Sequence, residues 1–412
     1  MKAKVGVRFS AFKACGMSLL ILFAATHAGA ATAGAREQAK RIHDRIAGVP
    51  PAPSVLSSME QDISSGRKLD AAYTALADPA FYNVTLKNFA APWTNEAMTP
   101  FVPLNDYTAT VIGLVRDDAD FRKVLYDDTL YVGIWSNLPP YSNSGNAHYE
   151  QIDQLGYDLS DTQNFKGVNQ SAYNGLPTSA TAGVLTSRAA ARAFFSAGTN
   201  RAMFRFTLIN HLCRDLEQVA DVNLPPDRIR QDVSRSPGGD SRVFLNNCVG
   251  CHTGMDPMTQ AFAYYDYDYN PDNDPDGTLG QLVYNTVNDI DPDTQSRVQG
   301  KYHINSTTFE QGYVTPDDQW DNYWRQGANR RMGWDASLPG SGSGAKSLGK
   351  ELAHSDAFAE CQVKKVFKNV CLRPPSTNAD HSQISNMVAS FRSHNFNLKQ
   401  VFAESAVYCA GE

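Results

Sequence analysis

Two cysteines three positions apart, followed at once by a histidine, are the residues of this 412-residue chain best spaced for chemistry: Cys248-Val249-Gly250-Cys251-His252. On a helix, thiols at this spacing lie about one turn apart. Each can add to one vinyl group of a haem, and the adjacent histidine then lies under the iron as its proximal ligand. The competing chemistry is a Cys-x-x-Cys disulfide or half of a zinc site. A four-ligand zinc site needs a second close pair, and the sequence has no other Cys-x-x-Cys and no His-x-x-x-His.

The elements that position this motif read as helices. Another helix runs from about Asp240 into the motif, and Met255-Asp256-Pro257 predicts a fresh helix start after it, with Asp256 as N-cap and Pro257 at the first helical position. Upstream, SRAAARAFFSAG and RAMFRFTLINHLCRDLEQV carry helical periodicity. The stretch from Arg36 to Asp128 reads as several helices punctuated by Gly48, Pro50-Pro51, Gly66 and Pro79, the last of them TATVIGLVRDDADFRKVLYDD. Between Trp135 and Thr186 the composition shifts to Asn, Ser, Gly, Tyr and Pro, a loop-rich connection and candidate boundary.

The start of the chain reads as an address. Lys2, Lys4, Arg8 and Lys13 precede a short apolar run, Met17 to Ala25, and Ala28-Gly29-Ala30 supplies small residues for cleavage. The run is shorter than the ~20 apolar residues a membrane span needs, and Cys15 precedes it, which does not suit a lipoprotein. Residues 1–30 are therefore expected to be a cleaved secretory signal, giving a periplasmic or secreted protein without a membrane span. The net charge of −6 becomes −10 once these four basic residues and no acidic one are removed. No basic run offers a grip on nucleic acid, and an acidic surface suits a redox partner protein with a basic face. With 42% hydrophobic and 19% charged residues the chain is too apolar to be disordered.

The segment NNCVGCHTGMDPMTQAFAYYD resembles a group of monohaem bacterial cytochromes c, common in planctomycetes and proteobacteria, in which helical domains flank the haem motif. AGVLTSRAAARAFFSAGTNRAMFRFTLINHLCRDLE resembles the preceding helical domain, and AKSLGKELAHSDAFAECQVKKVFKNVCLRPP the closing one. The likeness covers about residues 180 to 412. It implies one covalent haem c and a helical fold more than it implies a physiological reaction. The fold class expected is mainly α: a helical N-terminal domain over 31–185 with a loop-rich end, then a cytochrome c-like helical haem domain over 186–412 with closing helices.

For the haem, Cys248 and Cys251 are the attachment residues and His252 the proximal ligand. The sixth ligand is open among Met332, His303, Met258, His354 and His211. Met332, in ANRRMGWDASLPGSGSG, is favoured because distal methionines of small cytochromes c also lie downstream of the motif and before the last helix. His303 comes next. Met255 sits too close to His252 to reach the opposite haem face, an objection that weighs less on Met258. Trp320, Trp324 and Trp334 are candidates for an apolar pocket wall or for ordinary packing.

Outside the motif and Cys15, four cysteines remain. Cys361 and Cys371 share one predicted helix, about 15 Å apart over ten residues, so no disulfide joins them. Cys213 and Cys409 should each take one of that pair. Asp272-Asn273-Asp274-Pro275-Asp276-Gly277 opens like a calcium loop, but Val283 stands where the bidentate Glu belongs. A solvated acidic loop is the default there, and a looser calcium site the alternative. No serine elbow, P-loop, dinucleotide fingerprint or zinc-protease helix occurs. Three functions follow. An electron-transfer cytochrome is the first, a haem peroxidase or oxidase with an open distal site the second, and a partner-binding module carrying a redox haem the third.

Overall fold

The computed structural model describes residues 33–233 and 241–411. The expected signal segment, residues 1–30, lies outside them. Helix α1 (Ala35–Ala47) stops at Gly48, which takes φ 76° and returns its N–H to Asp44 O at 3.0 Å. This left-handed cap is one that glycine adopts without steric cost. Helix α2 (Pro53–Ser64) begins with proline at its first position, where the missing N–H leaves nothing unsatisfied. Helix α3 (Lys68–Leu76) closes before Pro79. Helix α4 (Asp106–Arg116) is capped by Asn105, which accepts from Thr108 N. The predicted continuation of α4 through to Asp128 does not form. The chain turns at Asp118 (φ 52°) and makes a short 3₁₀ turn over Phe121–Leu125.

The 135–186 stretch holds short elements within its loops. Helix α5 (Ala147–Leu155) lies between strands β1 (Leu130–Gly133) and β2 (Phe165–Val168), which pair antiparallel with Leu130 opposite Val168. Two further two-stranded antiparallel sheets occur among the described residues, β3 (Tyr265–Asp268) with β4 (Gln281–Tyr284), and β5 (Gln319–Asp321) with β6 (Ser341–Ser343). Residues 263–343 are mostly turns and loops around these strands and short 3₁₀ turns, whereas the chain before and after them is mainly helical.

Helix α6 (Arg188–Phe194) is tied to α4 by one side chain. Asp106 is buried and accepts from Arg188 N at 2.6 Å and Ala189 N at 3.0 Å, placing its carboxylate on the free amides at the start of α6. Helix α7 (Arg201–Thr207) continues through a π turn over Leu208–Leu212 and ends at Cys213. Helix α8 (Val249–Thr259) carries the motif. Four helices close the chain: α9 (Gly344–Ala353), α10 (Asp356–Cys371), α11 (Asn378–Ser393) and α12 (Leu398–Cys409).

The first helices pack on the last. Arg45 donates to Cys409 O at 2.6 Å, and the Tyr73 hydroxyl to Gln400 Oε1 at 2.6 Å. Ile42, Met59, Ala72, Phe81, Val363 and Phe402 share one apolar core. No described helix is long and apolar enough to cross a membrane.

Two disulfides, Cys213–Cys361 and Cys371–Cys409, pair each cysteine of α10 with a partner outside the helix, as the helical spacing of Cys361 and Cys371 leads one to expect. They close loops of sequence separation 148 and 38. On chain entropy the longer loop contributes about 5 kcal/mol and the shorter about 4. Denaturant unfolding of the Cys213→Ala/Cys361→Ala protein should therefore show a loss about 1 kcal/mol larger than that of Cys371→Ala/Cys409→Ala.

Candidate haem-attachment site

The motif sits on a helix that is packed hard on one side and chemically equipped on the other. A π turn over Phe244–Cys248 runs directly into α8, so Cys248 ends the wide turn and Cys251 and His252 lie in the first α turn. Residues two apart on a helix point about 200° away from each other. Gly250 and Gly254 thus form one face, and Cys248, His252 and Asp256 the other.

The glycine face is a docking face. A Cβ on Gly254 would lie 1.9 Å from Trp324 Nε1, and one on Gly250 would lie 3.2 Å from Val222 Cγ1. The backbone reinforces this contact: Asp221 N donates to Gly250 O at 2.9 Å, and the Thr253 hydroxyl to Asp221 O at 2.8 Å.

The opposite face carries the imidazole. His252 is 16% exposed, and its Nδ1 lies 3.2 Å from both carboxylate oxygens of Asp256, one turn on. An ionised carboxylate only accepts. Nδ1 therefore carries a proton toward Asp256, which leaves Nε2 as the ring nitrogen that would meet a metal. Asp256 is itself fully buried and gripped by Arg201, Nε to Oδ1 at 2.8 Å and Nη2 to Oδ2 at 3.1 Å. Arg201 reaches on to Asp232 with two bonds of 2.9 and 3.0 Å, and Arg230 lies 3.3 Å from Asp232. Burial alone would raise the Asp256 carboxyl, but Arg201, then His252, hold it far below the usual carboxylate range. The Asp256 carboxylate is thus held in the ionised, accepting form.

Asp256 is not an N-cap and Pro257 does not start a helix. Helix α8 runs unbroken through both, with Pro257 inside it. The physical reason is that the Asp256 side chain is drawn sideways to Arg201 and His252 and so is not free to cap amides ahead of it.

Both thiols of the motif are free and partly exposed, whereas the other four described cysteines are bridged. Burial, followed by the charges of Glu217, Cys248 and Asp215, pushes the Cys251 thiol up. Beside Cys248, Ile229, Val233, Phe244 and Phe309 make a small apolar cluster, and the Phe244 ring centroid is 5.8 Å from that of His252. Two unbridged thiols at helical spacing, an imidazole whose Nε2 has no hydrogen-bond partner among the described residues and an apolar wall form a donor set that fits a covalent haem.

The other candidates are dispersed. Met332 is 4% exposed in the main core and ends a 3₁₀ turn, Gly327–Met332. That turn docks beside the glycine face, with Asn329 Nδ2 donating to Val219 O at 2.7 Å. Met258 is fully buried in the same core. His303 is partly exposed, and its buried Nε2 has no hydrogen-bond partner among the described residues. His354 caps α9, its Nδ1 2.8 Å from Lys350 O. His211 is a core histidine. Its Nε2 meets the Tyr107 hydroxyl at 2.8 Å, and its ring stacks on Phe358. Trp320 and Trp324 are buried, and the Trp334 indole donates to Trp324 O at 2.9 Å.

In the acidic loop between β3 and β4, Asp274 accepts from Thr278 N at 2.8 Å and Leu279 N at 2.7 Å. Among the described residues no group of three or more His, Cys, Asp or Glu is placed to hold a metal ion.

The sequence reasoning missed Asp256 as the partner of His252, although an i,i+4 spacing was there to find it. It also missed Arg201, Asp232 and Arg230, which only the tertiary fold brings to the motif. No family model matches the chain, and no match to it is found among curated proteins or solved structures.

Proposed function

We propose that this chain is a monohaem c-type cytochrome acting in electron transfer outside the cytoplasm, with the haem joined to Cys248 and Cys251 and ligated by His252. The observation that carries the reading is the Asp256–His252 pair beside two unbridged thiols, since a ligating histidine characteristically gives its second ring nitrogen to such a partner. When bound, the haem supplies a one-electron iron couple. The residues of this chain then anchor the ring, orient the imidazole and, through the cluster beside Cys248, keep water from one edge. As a second iron ligand His303 would be better placed than Met332, because its buried Nε2 has no partner among the described residues, whereas Met332 is buried in the main core beside the glycine face of α8 and away from His252. The redox partner is proposed to be a protein with a basic face, met by an acidic surface.

The same pair favours one other reading. A carboxylate on Nδ1 makes the imidazole a stronger donor to iron, which also suits peroxide cleavage at an open distal position. Absorption spectra of protein matured in a host that attaches c-type haem separate the two. Low-spin bands unaffected by carbon monoxide or peroxide support electron transfer, and the variant Met332→Ala or His303→Ala that loses them identifies the sixth ligand. High-spin bands that shift with either ligand overturn it in favour of the enzyme.

A further inference from the structure

A second site, independent of the haem reading, lies where α7 and its π turn meet α10. A cavity of about 1060 Å³ opens there beside the Cys213–Cys361 bridge. Its apolar lining includes Met98, Ile209 and Leu372 beside the buried rings of Phe89, Trp93 and Phe206. Its charged lining is lopsided: Arg205, Arg214, Lys364, Lys365 and Lys368 against Glu96 and Asp215. Two of those cations are matched, Arg205 by Asp215 at 2.7 Å and Lys364 by Glu360 on its own helix. Among the described residues Lys365, Lys368 and Arg214 make no ion pair with a carboxylate. This cationic lining occurs in a chain whose net charge is −6.

Lys365 is the centre of the argument. Its ammonium lies 3.4 Å from the centroid of the Trp93 ring and donates to Asn210 O at 2.7 Å. A ring face and one carbonyl engage two of its three donors. Burial drives its pKa well below the ordinary lysine value, so an anion placed beside it would favour the charged form. An ammonium on an aromatic floor, inside a cavity of small-molecule size, is complementary to an anionic head on a flat apolar body.

We propose that this cavity binds a small aromatic carboxylate or sulfonate, its anionic group on Lys365 and its ring against the accessible apolar wall of Met98, Ile209 and Leu372. Asp215, on the cavity wall, is also near enough to Cys251 to influence its thiol.

The test is calorimetric titration of the full-length protein with 2-naphthoate. One-to-one binding is expected, weakened roughly tenfold by Lys365→Met and about threefold by the rim variant Lys368→Gln. The uncharged 2-naphthamide and the aliphatic decanoate should bind distinctly more weakly than 2-naphthoate. Thermal melts report whether Lys365→Met is folded, and a melting temperature at or above that of the parent is expected, because a buried charge has been removed. If that variant does not fold, Lys368→Gln and the naphthamide comparison decide. No binding of naphthoate, equal affinity for the amide or for decanoate, or unchanged affinity in folded Lys365→Met overturns the proposal.

Discussion

Replacing Asp256 with Asn is expected to raise the midpoint potential of the haem-loaded protein by roughly 60 mV or more, a tenfold change in a one-electron equilibrium. Asparagine keeps the shape and can still accept from Nδ1 of His252, so the ring stays in place. What is lost is the negative charge that strengthens the imidazole as a donor and favours the oxidised iron. The same change leaves Arg201 with Asp232 alone. Breaking one arm of a buried charge network costs about 2–3 kcal/mol, at the low end for such pairs because the second arm survives. Asp232→Asn serves as the control. It removes charge from Arg201 without touching His252, so its stability should fall by a similar amount while the potential moves far less. Redox titration and urea unfolding of the two variants separate tuning of the ligand from simple loss of structure.

Gly254→Ala is expected to destabilise the protein by about 3 kcal/mol, although alanine is the better helix former by about 1 kcal/mol. The clash outweighs the propensity. The added methyl would meet the Trp324 indole at 1.9 Å, and that ring is fully buried and packed on Phe204. Neither the indole nor the helix can retreat without disturbing a filled core. Gly250→Ala, on the same face, meets Val222 at 3.2 Å and has room to adjust. It should be close to neutral, and the contrast in urea midpoints measures how tightly this face fixes the motif.

Legibility in the sequence followed the range of the interactions. The helix ends at Gly48 and before Pro79 are local chemistry, and they lie where the sequence places them. The separation of Cys361 from Cys371 is a matter of helical rise, so their direct pairing was open to elimination, while which of them meets Cys213 depends on the tertiary fold. The continuous α8 was not read, because Met255-Asp256-Pro257 carries every local sign of a helix start. The reason Asp256 does otherwise is a guanidinium 55 residues upstream. The break after Arg116 was equally hidden, since the apolar spacing continues while the chain turns at Asp118. At the site, the thiols and imidazole stand out by spacing alone. The network that orients the imidazole is tertiary, and the cationic cavity gathers residues from three separated segments with no run of basic residues to announce it.

The most direct test of the central claim is whether haem stays with the polypeptide. The protein, matured in a host that attaches c-type haem, is precipitated in acidified acetone, and haem is measured by absorbance in the pellet and in the supernatant. The account predicts that haem remains in the pellet for the parent protein and passes to the supernatant when Cys248 and Cys251 are both replaced by serine. A parent protein that carries no haem, or that releases it to the acetone, contradicts the account.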